Sequence, residues 1–133
     1  MIVGVGTDLV LIERVRAMLD RWGMRLAERI LGPTERERFT AQLGSGVRPA
    51  DRAVSYLAKR FAGKEAVGKA LGCGLGRPMG LQRIELLNDH LGAPTVVAHG
   101  ELADHLRDMG LIVHVSLSDE RSLAQAFAVV EKR

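Results

Sequence analysis

The chain has 133 residues and a mass of 14.5 kDa, with 19 Lys+Arg against 16 Asp+Glu and a formal net charge of +3. A chain of this length buries roughly 65–70% of its unfolded surface as one unit, here expected to be a single domain over residues 1–133, and its 26% charged and 47% hydrophobic residues exclude a disordered, collagenous or coiled-rod class. The single cysteine, Cys73, closes no internal disulfide and supplies no Cys-based zinc site, so a reducing cytoplasm is the expected location.

Met1 to Ile12 is too short to cross a bilayer, has no basic leader and is interrupted by Asp8; neither a signal peptide nor an anchor is expected, and the chain is expected to start in its mature form. Ile2 to Val10 is β-branched and apolar, which predicts a buried strand with Asp8 near its end. Ile12, Val15, Leu19 and Trp22 recur at helical spacing up to Gly23, and a short helical piece, Met24 to Leu31, precedes the Gly32-Pro33 break. Thr34 with Glu37 three residues on has the capping-box pattern of a helix running to Leu43. Gly44 to Pro49 is a loop too short to separate domains.

Asp51 is expected to cap a long helix reaching about Leu71, with Val54, Leu57, Phe61 and Val67 inward and the Gly72 to Gly76 turn ending it. Leu81 to Leu87 and Thr95 to Ala98 are strand-like around a turn at Asn88 to Pro94. Glu101 to Met109 is helical, and Leu111 to Leu117 with Leu123 to Val130 form a closing pair of strands. The fold class is α+β.

Two segments carry unusual chemistry. Asp8 sits in an apolar strand, where a carboxylate costs several kcal/mol unless it is paired or bound to a cation; Gly6, two residues earlier, would let a ligand approach the backbone. On this motif alone, a buried salt bridge or a cap on the next helix accounts for Asp8 more simply. In the long helix, Gly63 and Gly68 each cost up to about 1 kcal/mol relative to Ala, and Arg60 and Lys64 are like charges one turn apart, a repulsion that a bound anion would relieve. Glu65 with Lys69 is the favourable order for an ion pair and needs no further purpose. On the first helix Arg14, Met18, Arg21 and Arg25 keep to one side if the helix continues through Gly23, a cationic face with a soft centre that suits an acidic partner helix or simply meets water. Gly72-x-Gly74-x-Gly76 follows a helix instead of opening one, so it is no phosphate-binding loop. His90, His99, His105 and His114 lack metal-ligand spacing, and Ser116 to Glu120 needs only a turn to explain it.

Taken together, Gly6-Thr7-Asp8-Leu9-Val10 with Arg14, Arg60-Phe61-Ala62-x-Lys64-Glu65-Ala66-x-x-Lys69, and Val113-His114-Val115-Ser116-Leu117-Ser118-Asp119-Glu120 closely resemble the holo-[acyl-carrier-protein] synthase family, the short single-module 4′-phosphopantetheinyl transferases. The likeness covers nearly the whole chain in order, including Ala27 to Leu31 and the Gly72 to Arg77 turn. It implies the fold of that family, one long helix packed with an antiparallel-rich sheet, assembled as a homotrimer with sites between subunits. It also implies transfer of 4′-phosphopantetheine from coenzyme A (CoA) to a serine of apo acyl carrier protein, releasing adenosine 3′,5′-bisphosphate, in support of fatty acid biosynthesis. By position, Asp8 and Glu65 would hold Mg²⁺, and Asp8, Glu65 and Lys69 would be catalytic. Arg60, Lys64, Gly72, Pro94 and Asp119 would bind CoA, and Arg14, Met18, Arg21 and Arg25 would dock the carrier protein. The chain departs from the family pattern at Leu11, where many members have Glu, at Ala93, where a basic residue commonly precedes the proline, and at Asp119, where some have His.

Two other classes compete. A carrier-protein-binding module without chemistry would keep the arginine face but need neither Asp8 nor Glu65. A small basic nucleic-acid binder is poorly served by the few aromatics, Trp22, Phe39, Tyr56, Phe61 and Phe127, and no nucleic acid is expected.

Overall fold

A computed structural model describes all residues, Met1 to Arg133, in the order β1 (Ile2–Leu11), α1 (Ile12–Trp22), α2 (Met24–Ile30), α3 (Pro33–Ala41), α4 (Asp51–Leu71), β2 (Ile84–Asn88), β3 (Pro94–Ala98), α5 (Gly100–Met109), β4 (Leu111–Glu120) and β5 (Leu123–Lys132). The strands form an antiparallel sheet, β1-β5-β4, and a separate β2-β3 hairpin. The α+β class stands, and no helix is long and apolar enough to cross a membrane.

Helix α4, 21 residues long, crosses one face of the three-stranded sheet. Small residues permit that close approach. Ala124, Ala126 and Ala128 of β5 are buried beneath it, and Gly4 and Gly6 of β1 meet its backbone: a Cβ at Gly6 would run into the Ala66 carbonyl oxygen, and one at Gly4 into that of Ala70. Gly6 therefore admits a helix, not a ligand. The helix glycines are explained in the same way, since a Cβ at Gly63 would collide with Leu86 and lie 2.8 Å from Leu117 Cδ2, and one at Gly68 would strike the Gly74 carbonyl. Close packing outweighs the propensity cost that made them look anomalous.

The core divides along α4. Its N-terminal half packs with α1, α2 and α3 through Val15, Leu19, Ile30, Phe39, Val54 and Leu57. Its C-terminal half packs with the strands and α5 through Val67, Ile84, Leu86, Leu102 and Val130.

Several expectations are corrected. Strand β1 is buried on one side only; Val3, Val5, Leu9 and Leu11 are exposed on the other, beside Leu123 and Phe127 of β5. Trp22 is exposed, and Gly23, at φ 62°, breaks the first helix from the second. Asp51 is the first helical residue and pairs with Arg16, while Ala50 takes the N-cap place without a side-chain cap. The acid that caps α3 is Glu35, whose Oε1 accepts from Gly32 N–H at 2.9 Å, and not Glu37. Glu85 supplies the other half of that cap from β2, its Oε2 accepting from Thr34 N–H at 2.8 Å and Glu35 N–H at 3.0 Å. Gly32 leaves room for it, since a Cβ there would lie 2.5 Å from Glu85 Cγ.

Candidate active site

Strand alternation turns Asp8 toward α4, with Gly4 and Gly6, so its carboxylate meets the C-terminal half of that helix. Lys69 Nζ donates to Asp8 Oδ1 at 3.0 Å and to the Thr7 carbonyl at 2.9 Å. Glu65 lies one turn before Lys69. Partial burial pushes its carboxyl above the usual carboxylate range, and the charge of Asp8 pushes it further the same way, against the opposing pull of Lys69. The charge of Asp8 thus reaches the Glu65 carboxyl, and Lys69 is bonded to Asp8 and not, as its spacing suggested, to Glu65. The helix stops just beyond: Gly72, left-handed at φ 82°, donates its N–H to Lys69 O at 3.1 Å. Gly72 is a helix terminator here and lines none of the cavities described below.

No group of three or more His, Cys, Asp or Glu side chains converges anywhere in the structure to hold a metal. A pair of hard oxygen ligands at a solvent-facing edge is too few for a structural zinc or calcium cage. It does fit Mg²⁺, which keeps several waters and takes one or two carboxylates plus substrate phosphate oxygens.

Lys64 is corrected outright. Its side chain is fully buried, and its ammonium donates to Glu35 Oε1 at 2.6 Å, Ile30 O at 2.7 Å and Leu81 O at 2.8 Å, so no N–H remains for a phosphate. The anion that relieves the Arg60–Lys64 repulsion is the protein's own Glu35, which also accepts from Leu86 N–H at 2.8 Å. Burial depresses the Lys64 ammonium's pKa and the Glu35 charge acts against that.

Arg60 does reach a cavity, of about 420 Å³, between α3, α4 and the β2-β3 hairpin, with Arg38, Lys59, Asn88 and Pro94 also on its walls. The guanidinium lies 4.0 Å from the centroid of the Tyr56 ring, donates through Nε to Leu86 O at 3.0 Å and through Nη2 to Asn88 Oδ1 at 2.6 Å. The Tyr56 hydroxyl is buried without a hydrogen-bond partner, and burial pushes its pKa up to about 12. Pro94 lines this cavity; Asp119 does not. Asp119 Oδ2 accepts from Ser55 Oγ at 2.9 Å and Oδ1 faces Lys59 Nζ at 3.1 Å, bonds that hold its carboxyl below the usual range.

Arg14, Met18, Arg21 and Arg25 are all exposed. The stripe is divided by the break at Gly23, and it survives in part because Met18 and Arg25 meet in a cleft of about 680 Å³ with Trp22, Leu26, Phe61 and Leu81. Arg21 turns its guanidinium over the Trp22 ring, 5.1 Å from the centroid.

Sequence reasoning missed Lys59, Arg38 and Asn88. Lys59 left a readable trace, because Ser55 and Lys59 are polar at i, i+4 in a helix that is otherwise buried around them. Arg38 and Asn88 left none; a 50-residue separation carries no periodicity.

The family model described as 4′-phosphopantetheinyl transferase superfamily matches residues 4–127. The chain is 48% identical over 131 residues to the holo-[acyl-carrier-protein] synthase of Leptothrix cholodnii, covering 98% of this chain and 97% of that protein. Among solved structures it resembles holo-[acyl-carrier-protein] synthase from Neisseria meningitidis, at 38% identity and a TM-score of 0.87 over 99% of this chain and 100% of that one. It also resembles the Bacillus anthracis synthase solved in complex with CoA (3′,5′-ADP), at 35% identity and a TM-score of 0.80 over 100% and 99%. The chain belongs to the 4′-phosphopantetheinyl transferase superfamily and, within it, to the holo-[acyl-carrier-protein] synthases.

Proposed function

We propose that this protein transfers 4′-phosphopantetheine from CoA to a serine of apo acyl carrier protein, with Mg²⁺ as cofactor, and so supports fatty acid biosynthesis in the cytoplasm. The observation that carries the reading is the placement of Asp8, Glu65 and Lys69 at one edge of the β1–α4 seam, two carboxylates in mutual repulsion with one ammonium beside them. A carrier-binding module without chemistry would gain nothing from that repulsion.

Asp8 and Glu65 would hold Mg²⁺. When bound, the metal neutralises the two carboxylates and withdraws charge from the CoA pyrophosphate. Lys69, anchored by the Thr7 carbonyl and half exposed, presents its remaining N–H to a phosphate oxygen and offsets charge that builds as the serine Oγ attacks the β-phosphorus. The serine–phosphorus bond forms as the bridging oxygen to the α-phosphate departs with adenosine 3′,5′-bisphosphate. Glu65, raised in basicity by burial and by Asp8, accepts the serine proton directly or through a water. The Arg60 cavity takes the nucleotide end of CoA. Arg14, Met18, Arg21 and Arg25 receive an acidic helix of the carrier protein, with the Met18–Phe61 cleft open to its apolar side chains.

Residues 1–133 act as one domain, and three copies form the working unit. Two features support this. The outer face of the sheet exposes Val3, Val5, Leu9, Leu11, Leu123 and Phe127, an apolar area that a monomer leaves wet. Asp8 lies on β1 while the wall of the Arg60 cavity reaches β4 at Leu117, on opposite edges of the sheet, so a site shared between neighbours would unite the metal centre of one subunit with the nucleotide cavity of the next.

The test is to incubate the protein with CoA, apo carrier protein and Mg²⁺ and follow adenosine 3′,5′-bisphosphate by chromatography. Release by wild type and its loss in Asp8→Asn and Glu65→Gln is expected. Full release in either variant would remove the metal assignment.

A further inference from the structure

We infer that Lys64 is a positioning residue for the carrier protein, its buried ammonium holding the walls of the Met18–Phe61 cleft in register. The inference rests on the proposed reaction, which brings a carrier to that cleft.

The cleft, of about 680 Å³, takes its walls from separate elements: Ile30 at the end of α2, Phe61 on α4, and Leu81 in the segment that leads into β2. Lys64 does not line it. The lysine lies about one turn after Phe61 on α4, fully buried, and its three N–H groups go to Ile30 O, Leu81 O and Glu35 Oε1. Two of its three acceptors are therefore main-chain carbonyls of residues on the cleft walls. One side chain ties the end of α2 and the approach to β2 to the helix that carries Phe61.

The Ile30 carbonyl needs such a donor. The helical partners that would satisfy it lie three and four residues on, but Pro33 has no N–H and Thr34 gives its own to Glu85 Oε2. Lys64 supplies the missing bond from another element. Its third acceptor fixes its place, because Glu35 is itself held by Gly32 N–H and Leu86 N–H. Well-packed apolar side chains are often as stabilising as a buried ion pair, or more so. What they lack is direction: an ammonium with three fixed acceptors sets the spacing of the elements around it to within a hydrogen-bond length. Glu65 follows Lys64 directly on α4, so the walls that receive the carrier and the carboxylate proposed to take its serine proton share one frame.

The experiment compares wild type with Lys64→Met/Glu35→Gln, which removes both buried charges together, at a temperature below the melting transition of each. The KM for apo carrier protein should rise about tenfold, with the KM for CoA within about twofold and kcat within about threefold of wild type. A lower kcat with both KM values unchanged is the mark of a smaller folded fraction, and it would make Lys64 a structural residue only. Glu85→Gln, which weakens the cap of α3 without touching the cleft walls, should keep the carrier KM of wild type. An equal rise in that variant would show that any loosening of this core moves the cleft, and would overturn the specific role of Lys64. Trp22, the single tryptophan, lines the same cleft and reports its shape with no carrier present; its acrylamide quenching should change in the double variant and not in Glu85→Gln. A wild type that transfers nothing to a carrier, with Trp22 altered in the double variant, would sink the proposed reaction and leave the support of the cleft standing. Transfer by wild type with an unchanged carrier KM in the double variant would sink the positioning role and leave the reaction standing.

Discussion

Two lysines five residues apart on α4 illustrate how burial, and not residue type, decides what a charge does. Lys64 has no exposure and three protein acceptors, whereas Lys69 has 52% of its side chain exposed and bonds beside a carboxylate at the edge. Replacing Lys64 by Met leaves Glu35 as a buried unpaired charge, and stability should drop by about 3–5 kcal/mol in denaturant titration; Lys64→Met with Glu35→Gln should recover part of it. Lys69→Ala should have the reverse signature, with an unfolding midpoint near that of wild type and kcat lower by roughly a hundredfold or more. A stable, inactive Lys64→Met protein would contradict the division. Glu85 adds a pH dependence at the same scale. Burial drives its carboxyl up, but the N–H groups of Glu35 and Thr34 and the ring of His99, 2.9 Å away, outweigh burial and hold it below its ordinary value of 4.5. Its contribution is therefore complete above about pH 4.5 and is lost as pH falls through the lowered folded value. Stability measured down that range should decline less steeply in Glu85→Gln than in wild type, and an unchanged slope would remove Glu85 from the account.

At the scale of elements, α4 is where helix propensity and packing point in opposite directions. By propensity, Gly63→Ala gains up to about 1 kcal/mol; by packing, the added methyl meets Leu86 and Leu117 and costs about 1–3 kcal/mol through forced rearrangement. Thermal unfolding of Gly63→Ala decides by its sign, and the structure predicts a lower midpoint. This conflict also shows why only part of the fold was legible in the sequence. The order of helices and strands followed from periodicity and from the breaks at Gly23, Gly32-Pro33 and Gly72. Why Gly6, Gly63 and Gly68 are glycines did not, because the atoms that exclude a side chain there belong to other elements. Half of the α3 cap was misread for the same reason: beside the local Glu35, the carboxylate that accepts from Thr34 and Glu35 N–H arrives from Glu85, 50 residues away, and a local pattern such as Thr34 with Glu37 cannot report it. For the candidate site, Asp8, Glu65 and Lys69 are singled out by the resemblance of the whole set of motifs, since each motif alone is as well explained by an ion pair or a cap. Lys64 could not be placed, as nothing in its neighbours distinguishes a lysine that faces Glu35 from one that faces a phosphate.

Across the whole molecule, charge and apolar surface are both unevenly distributed. Residues 1–69 hold 13 Lys+Arg and 8 Asp+Glu, a net +5, against 6 and 8, a net −2, in residues 70–133. The cationic half contains α1, α2 and α4, which suits the proposed action on two anionic substrates. The apolar outer face of β1 and β5 belongs to assembly in this account. Val5→Glu, at an exposed position on that face, should leave the subunit folded but convert a trimer in sedimentation velocity to monomer, with loss of the shared site and of activity. A fully active monomer would refute the shared site. The central claim is that the seam of β1 and α4 carries phosphopantetheine transfer, and intact mass spectrometry of apo acyl carrier protein incubated with this protein, CoA and Mg²⁺ tests it most directly. The account predicts a carrier heavier by one phosphopantetheine group, on its serine and only when Mg²⁺ is present; a carrier of unchanged mass, or one modified equally in EDTA, would contradict it.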